Sequence, residues 1–145
     1  MQLTDIVKNC NGCEACVVGC KHACVKIHTD ESGKKFPVKN EDGCQKCNNC
    51  VLYCPIYNPV ELPDFEQFFE YDEEYYRRDM AKVYRETMRK VRAGTTTEFA
   101  GTLCQIAALK SLMGDKLSHD LRILPLYCDR ENPRRPECAV CPFYR

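Results

Sequence analysis

The stretch that decides the fold is Gly43-Cys44-Gln45-Lys46-Cys47-Asn48-Asn49-Cys50-Val51-Leu52-Tyr53-Cys54-Pro55. Its C-x2-C-x2-C-x3-C-P spacing lets three thiolates bind three corners of one cubane iron–sulfur cluster while the fourth binds a second cluster. The same cysteine spacing occurs upstream in Cys10-Asn11-Gly12-Cys13-Glu14-Ala15-Cys16-Val17-Val18-Gly19-Cys20. We call the upstream copy the first run and the downstream copy the second run. The duplication predicts a ferredoxin-like domain with two 4Fe-4S clusters.

The spacing also predicts which cysteines share a cluster, since the fourth cysteine of each run binds the cluster of the other run. The first ligand set is therefore Cys10, Cys13, Cys16 and Cys54. The second ligand set is Cys44, Cys47, Cys50 and Cys20. Lys21 stands where the first run would have a proline. Cys24, four residues beyond Cys20, is thus either an alternative fourth ligand or a buried thiol without a ligand role.

Cysteine usage favours metal ligation over disulfides. The chain has 13 cysteines in 145 residues, a density that in a short secreted protein would indicate a disulfide framework. The N-terminus does not resemble a secretory signal, the count is odd, and eight of the thiols fall in two identical runs. Cysteines three residues apart are poor disulfide partners and good neighbours on a metal. We expect a reducing, anaerobic cytoplasm.

Charge and hydropathy exclude other classes of function. Lys+Arg and Asp+Glu both number 21, so the net charge gives no argument for nucleic-acid binding. No apolar run approaches the roughly 18 residues of a membrane span, which predicts a cytoplasmic protein without membrane insertion. Neither a G-x-G-x-x-G nor a Walker A sequence is present.

The expected fold class is α+β, with a ferredoxin-like two-cluster domain followed by a long helix and a small helical and loop extension. We place the domains at 1–62 and 63–145. A short strand, a polar turn and a second strand are expected between the two runs, and prolines at 55, 59 and 63 mark the end of the cluster domain.

The long helix is predicted from Asp64, with Gln67 as its capping-box partner, to Arg92, before Gly94 ends it. Apolar and aromatic residues recur within this segment at steps of three and four, which predicts one apolar face. That face is either part of the core or a docking surface for a partner redox subunit.

A third ligand set remains after the first two are assigned. Thr102 is expected to cap a helix that runs to Gly114, with Cys104 in its first turn, where free N–H groups favour a thiolate or an anionic cluster. Residues 122–127 are predicted to form a short buried strand ending at Cys128. The set of four is Cys104, Cys128, Cys138 and Cys141. It can hold a third 4Fe-4S cluster or zinc, or consist of unligated thiols.

These residues resemble the coenzyme F(420) hydrogenase/dehydrogenase beta-subunit family. The resemblance rests on the two runs and on four further segments, which are Pro55-Ile56-Tyr57-Asn58-Pro59, Ala100-Gly101-Thr102-Leu103-Cys104-Gln105-Ile106-Ala107-Ala108-Leu109-Lys110, Cys128, and Arg135-Pro136-Glu137-Cys138-Ala139-Val140-Cys141. In that family the downstream cysteines help bind an iron–sulfur cluster beside a flavin, so the resemblance implies that the third ligand set acts as one cluster site. Leu103 stands where the family has proline. The family's flavin-binding segment is replaced here by residues 64–92, so the resemblance does not imply a bound flavin.

Together, the patterns predict an iron–sulfur electron-transfer subunit that relays single electrons to or from a partner oxidoreductase or a larger oxidoreductase complex. No catalytic acid or base is required for this role. One alternative is a small flavin-assisted oxidoreductase subunit of the coenzyme F(420) hydrogenase beta type. Another is a zinc-stapled interaction protein without redox work.

Overall fold

The computed structural model describes residues 10, 12–33, 35–70, 78–114 and 121–128. Within these ranges the chain is α+β, with short helices and two two-stranded sheets, and the predicted class is confirmed. The helices are α1 (Ala15–Gly19), α2 (Asn49–Leu52), α3 (Met80–Arg92) and α4 (Leu103–Met113). The strands are β1 (Val25–Thr29), β2 (Lys35–Lys39), β3 (Thr97–Gly101) and β4 (Leu121–Pro125).

The duplication in the sequence is repeated in the backbone of the two runs. The residue before the second cysteine of each run, Gly12 or Lys46, has a positive φ of 71° or 56°. The residue after that cysteine, Glu14 or Asn48, again has a positive φ, of 70° or 61°. A short helix then follows in each run, α1 in the first and α2 in the second. Because non-glycine residues seldom adopt this left-handed region, the shared pattern reflects a common local structure rather than chance.

A β-hairpin connects the two runs, as the sequence predicts. Strands β1 and β2 pair antiparallel, with Val25 opposite Lys39 and Thr29 opposite Lys35. The Asn40 N–H donates to the Cys24 carbonyl oxygen at 2.7 Å, which continues the pairing beyond the hairpin toward the first run. The hairpin register therefore decides which side chains lie beside the cysteines.

The second sheet is a parallel pair joined by a helix. Strands β3 and β4 pair in register from Thr97 opposite Leu121 to Gly101 opposite Pro125, and α4 begins directly after β3. The Thr102 N–H donates to Gln105 Oε1 at 3.0 Å, the return bond of a capping box. The predicted helix over these residues is confirmed. Strand β4 begins one residue earlier than predicted and ends at Pro125 rather than at 127.

The prediction of one long helix from Asp64 is wrong over its first part. Residues 64–70 are not helical, and residues 71–77 lie outside the described ranges. The Phe69 N–H donates to the Pro125 carbonyl at 2.9 Å, and the Phe69 carbonyl accepts from the Tyr127 N–H at 2.8 Å. Because these bonds to the end of β4 use the backbone groups that a helix would need, Phe69 extends the sheet. Helix α3 instead starts after Asp79, whose carboxylate accepts the Lys82 N–H.

The apolar face of α3 belongs to the core within the described residues. Tyr84 is fully buried and Met80 nearly so. The Tyr84 hydroxyl donates to the Cys13 carbonyl at 2.6 Å, and the Met80 N–H donates to the buried Glu14 carboxylate at 3.0 Å. Both contacts join α3 to the first run. The cluster of buried residues around them is Cys13, Ala15, Met80, Tyr84, Phe99, Ile106, Ala108, Leu109 and Leu121.

No helix in the described part of the chain is long and apolar enough to cross a membrane.

Candidate metal centre

Cysteines of the two runs meet in a common core. Cys16 and Cys20 from the first run, and Cys50 and Cys54 from the second, are all buried in one cluster of contacting residues that also includes Cys24. Helices α1 and α2 bring them together. These helices approach so closely that a Cβ added at Gly19 would lie 2.4 Å from Tyr53 Cδ2. Gly19 and Tyr53 each precede the fourth cysteine of their run, so this contact positions Cys20 and Cys54.

Members of the first ligand set influence one another directly. Burial raises the pKa of the Cys16 thiol, and the neighbouring thiols of Cys10, Cys54 and Cys50, the last a member of the second ligand set, raise it further. Burial likewise raises the pKa of Cys13, to which Cys16 and Cys10 also contribute. Cys16 and Cys54 also lie in one buried cluster, and Cys13 lies in the neighbouring cluster around Tyr84. Cys54 is the member that comes from the second run.

Members of the second ligand set line one small cavity together with Cys24. The cavity is bounded by Cys20 from the first run and by Cys44, Cys47 and Cys50 from the second. Cys20 and Cys50 are buried, Cys44 is half-buried and Cys47 is exposed. The second ligand set therefore lies nearer to solvent than the first, and Cys47 is its most accessible member.

Backbone N–H groups point at sulfur in equivalent places of the two runs. The Gly12 N–H donates to Cys10 Sγ at 3.3 Å, and the Lys46 N–H donates to Cys44 Sγ at 3.3 Å. Such bonds favour a thiolate and the added negative charge of a reduced cluster. The left-handed conformations of Gly12 and Lys46 go with these bonds, which gives the unusual backbone a chemical role.

Cys24 lies against Cys20 within the same cavity. Their Sγ atoms are 3.1 Å apart, and the Cys24 N–H donates to Cys20 Sγ at 3.4 Å. The hydrogen bond to Cys20, followed by burial, raises the pKa of Cys24 to about 11. Burial alone would raise the pKa of Cys20, but hydrogen bonds from Cys24 and from backbone N–H groups outweigh it, and the pKa is lowered.

Lys39 is a residue of this site that the sequence analysis did not single out. It lines the cavity of the second ligand set, and its side chain is 11% exposed. Burial works to lower its pKa, but the neighbouring Cys44 and Cys50 thiols and Glu41 outweigh burial and raise it. Only the pairing of Val25 with Lys39 at the end of the hairpin brings it here, and no sequence motif signals that register.

Two members of the third ligand set, Cys104 and Cys128, lie beyond the carboxyl ends of the neighbouring parallel strands β3 and β4. Cys104 is buried in the first turn of α4, with its Sγ 3.0 Å from Thr102 Oγ1. A cavity of about 180 Å³ adjoins Cys128 and is lined otherwise by Phe68, Leu103, Leu126 and Tyr127. Cys138 and Cys141 lie outside the described residues, so the third set stays a prediction.

Cys104, one of the two described members of the third ligand set, lies near Cys13 of the first set. The Cys104 thiol is among the groups that raise the pKa of Cys13, after burial and after Cys16. Cys13 also packs in the same core cluster as Phe99 and Ile106, residues of the β3 and α4 segment that carries Cys104. Cys104 therefore lies near the first run.

The donor chemistry of the first two sets fits iron–sulfur clusters. Each set consists of four cysteine sulfurs, the ligand type that 4Fe-4S clusters require. Among the described residues, no three or more His, Cys, Asp and Glu side chains converge closely enough to hold a single metal ion. The cavity of the second set has a volume of about 10 Å³, room for about one water. The thiols would thus separate on binding a cluster, which couples assembly to local folding.

Comparison with known proteins gives one partial similarity. Over 55 residues the chain is 29% identical to ketoisovalerate oxidoreductase subunit VorC from Methanothermobacter marburgensis, a match that covers 37% of this chain and 70% of the relative. No family model matches the chain, and no solved structure matches it significantly. The similarity is to a subunit of an oxidoreductase. The more specific resemblance to the coenzyme F(420) beta-subunit family has no matching family model behind it and stays a prediction.

Proposed function

We propose that this chain is an iron–sulfur electron-transfer subunit that relays single electrons to or from a partner oxidoreductase. The observation that carries the proposal is the mixing of the two runs. Cys54 of the second run lies with Cys16, and Cys20 of the first run lies with Cys44 and Cys50. A chain that binds two clusters by cross-ligation needs this arrangement. The similarity to an oxidoreductase subunit supports the same role.

In this proposal each ligand set holds one 4Fe-4S cluster, and a bound cluster supplies a site that accepts and returns one electron. The protein's part is to orient the sulfurs, exclude water and adjust local charge. Gly12 and Lys46 donate N–H groups to sulfur in the two runs. Lys39 adds a positive charge beside the second ligand set. Both features favour a reduced site over an oxidised one, because reduction adds negative charge.

The arrangement of the ligand sets suggests an order for the relay. Cys47 is exposed, so the second ligand set is the place where a redox partner would approach. Cys13 of the first set neighbours Cys104 of the third. Electrons would then pass from the second set through the first to the third, or in the opposite direction.

Iron and acid-labile sulfide analysis of anaerobically purified protein tests the proposal. Two clusters give about eight irons and eight sulfides per chain, and a third raises both to about twelve. Reduction with dithionite should produce electron paramagnetic resonance signals of reduced 4Fe-4S clusters. Protein that lacks iron and stays colourless, or that holds zinc at all sites, would refute the electron-transfer role.

The flavin-assisted alternative gains no support from the described residues. The cavity beside Cys128 lies at the carboxyl ends of parallel strands, where ligands bind in many α/β proteins. Its volume of about 180 Å³ is, however, below the roughly 300–1,000 Å³ of small-molecule sites. Flavin retained by the anaerobically purified complex would support this alternative, and its absence there would end it.

A further inference from the structure

The second ligand set has a fifth cysteine where a cubane cluster needs four. Cys24 lines the same cavity as Cys20, Cys44, Cys47 and Cys50, and it is 6% exposed. The Sγ atoms of Cys24 and Cys20 are 3.1 Å apart, and the Cys24 N–H donates to Cys20 Sγ at 3.4 Å. Cys24 thus contacts Cys20 Sγ through both its thiol and its backbone N–H.

The second run has an asparagine, not a cysteine, at the position four residues after its fourth cysteine. Asn58 lies four residues after Cys54, as Cys24 lies four residues after Cys20. The Asn58 N–H donates to the Cys54 carbonyl at 2.8 Å, and its side-chain amide donates to the Val51 carbonyl at 3.1 Å. These bonds go to backbone oxygen, whereas those of Cys24 go to sulfur. The two halves of the duplication therefore differ at this position.

The backbone between Cys20 and Cys24 is bent to make the contact. Ala23 has a φ of 53°, in the left-handed region that is costly for alanine. The other non-glycine residues with positive φ in the described ranges, Glu14, Lys46 and Asn48, directly flank cysteines of the two runs. Strain of this kind persists only where surrounding structure holds it and is concentrated at functional sites. Here it returns the Cys24 thiol to Cys20.

We propose that Cys24 is a positioning residue that raises the reduction potential of the second cluster above the value that its four ligands alone would give. The inference rests on the proposed iron–sulfur function. With Cys20 bound to iron as a thiolate, which has no proton to donate, the thiol and the N–H of Cys24 are the donors that face its sulfur, and Cys24 itself is not a ligand. Hydrogen bonds to ligand sulfur stabilise the reduced, more negative cluster and thereby raise its potential. The first cluster, whose Cys54 is followed by the Pro55 segment, lacks a thiol at this position.

The direct test is a redox titration of anaerobic Cys24→Ala protein, followed by electron paramagnetic resonance. We expect one midpoint potential to fall, with the equilibrium constant for reduction of that cluster lowered about three- to tenfold. A tenfold change corresponds to 59 mV for a one-electron couple. The other midpoint potentials should stay at their wild-type values, and the iron content should be unchanged.

Two further variants separate hydrogen bonding from packing. Cys24→Ser keeps a hydroxyl donor at the same place and should restore more than half of the lost shift. Asn58→Ala changes the corresponding residue of the other half, and it should leave the potential of the second cluster unaltered. If Cys24→Ser behaves like Cys24→Ala, the effect comes from packing and the proposal is overturned.

The remaining outcomes also decide the matter. Loss of about four irons from Cys24→Ala would make Cys24 a ligand and would overturn its positioning role. Unchanged potentials in Cys24→Ala with full iron content would overturn this inference and leave the proposed function intact. Wild-type protein without iron–sulfur signals would instead overturn the proposed function itself, and with it the inference.

Discussion

Gly19→Ala should destabilise the protein although alanine is the better helix former. Gly19 is the last residue of α1, where replacing glycine would by itself contribute up to about 1 kcal/mol of stability. The new Cβ would, however, lie 2.4 Å from Tyr53 Cδ2 and 3.1 Å from its Cγ. The obstacle is the ring near its attachment rather than a flexible end, so α1 and α2 must move apart. Overpacking of this kind costs about 1–3 kcal/mol, so after subtraction of the helical gain of about 1 kcal/mol the net destabilisation is up to about 2 kcal/mol.

Urea denaturation of the anaerobic protein, followed by circular dichroism, measures this change in the free energy of unfolding. Gly43→Ala is the matched control, because its added Cβ would lie 3.5 Å from Cys24 Cβ, an ordinary van der Waals contact. Tyr53→Ala in the Gly19→Ala background removes the obstructing ring and should abolish the steric part of the cost. A Gly19→Ala protein as stable as the wild type would show that the two runs do not pack as described.

Two further changes probe the surroundings of the ligand sets. Tyr84→Phe removes the 2.6 Å bond to the buried Cys13 carbonyl and should lower the free energy of unfolding by about 1–3 kcal/mol in urea denaturation. Tyr53→Phe, at a half-buried tyrosine, is the control, and an unchanged stability of Tyr84→Phe would contradict a role for this bond. Lys39→Met removes a positive charge beside Cys44 and should lower one cluster potential by up to about 59 mV, a tenfold change in the reduction equilibrium. Lys26→Met, on the exposed side of β1, should leave the potentials unchanged, and equal shifts in the two lysine variants would argue against a local effect of Lys39.

Local signals account for the parts of the fold that the sequence predicts. The cysteine spacing of the two runs is a local pattern. The two runs also share a backbone conformation, with positive φ values on both sides of Cys13 and of Cys47. Thr102 and Gln105 form a capping box over three residues, so the start of α4 could be located without tertiary information. The α+β class follows from the same elements.

Long-range contacts explain the parts that the sequence does not predict. The helical period from Asp64 onward was outweighed at Phe69 by its pairing with Leu126, a partner far along the chain. Lys39 reaches the second ligand set only through the register of the hairpin. The position of Cys24 depends on the left-handed conformation of Ala23, which alanine rarely adopts. None of these three features has a local motif from which it could have been inferred.

Iron content of paired cysteine variants tests the central claim, cross-ligation between the runs, most directly. Cys54→Ser alone should lose about four of eight irons at the two N-terminal clusters. If Cys54 shares a cluster with Cys10, adding Cys10→Ser should remove no more, because both changes damage one site. Adding Cys44→Ser to Cys54→Ser should instead remove about eight irons, since each change damages a different site. The reverse result, with the Cys10 and Cys54 pair losing about eight irons and the Cys44 and Cys54 pair only about four, would contradict cross-ligation.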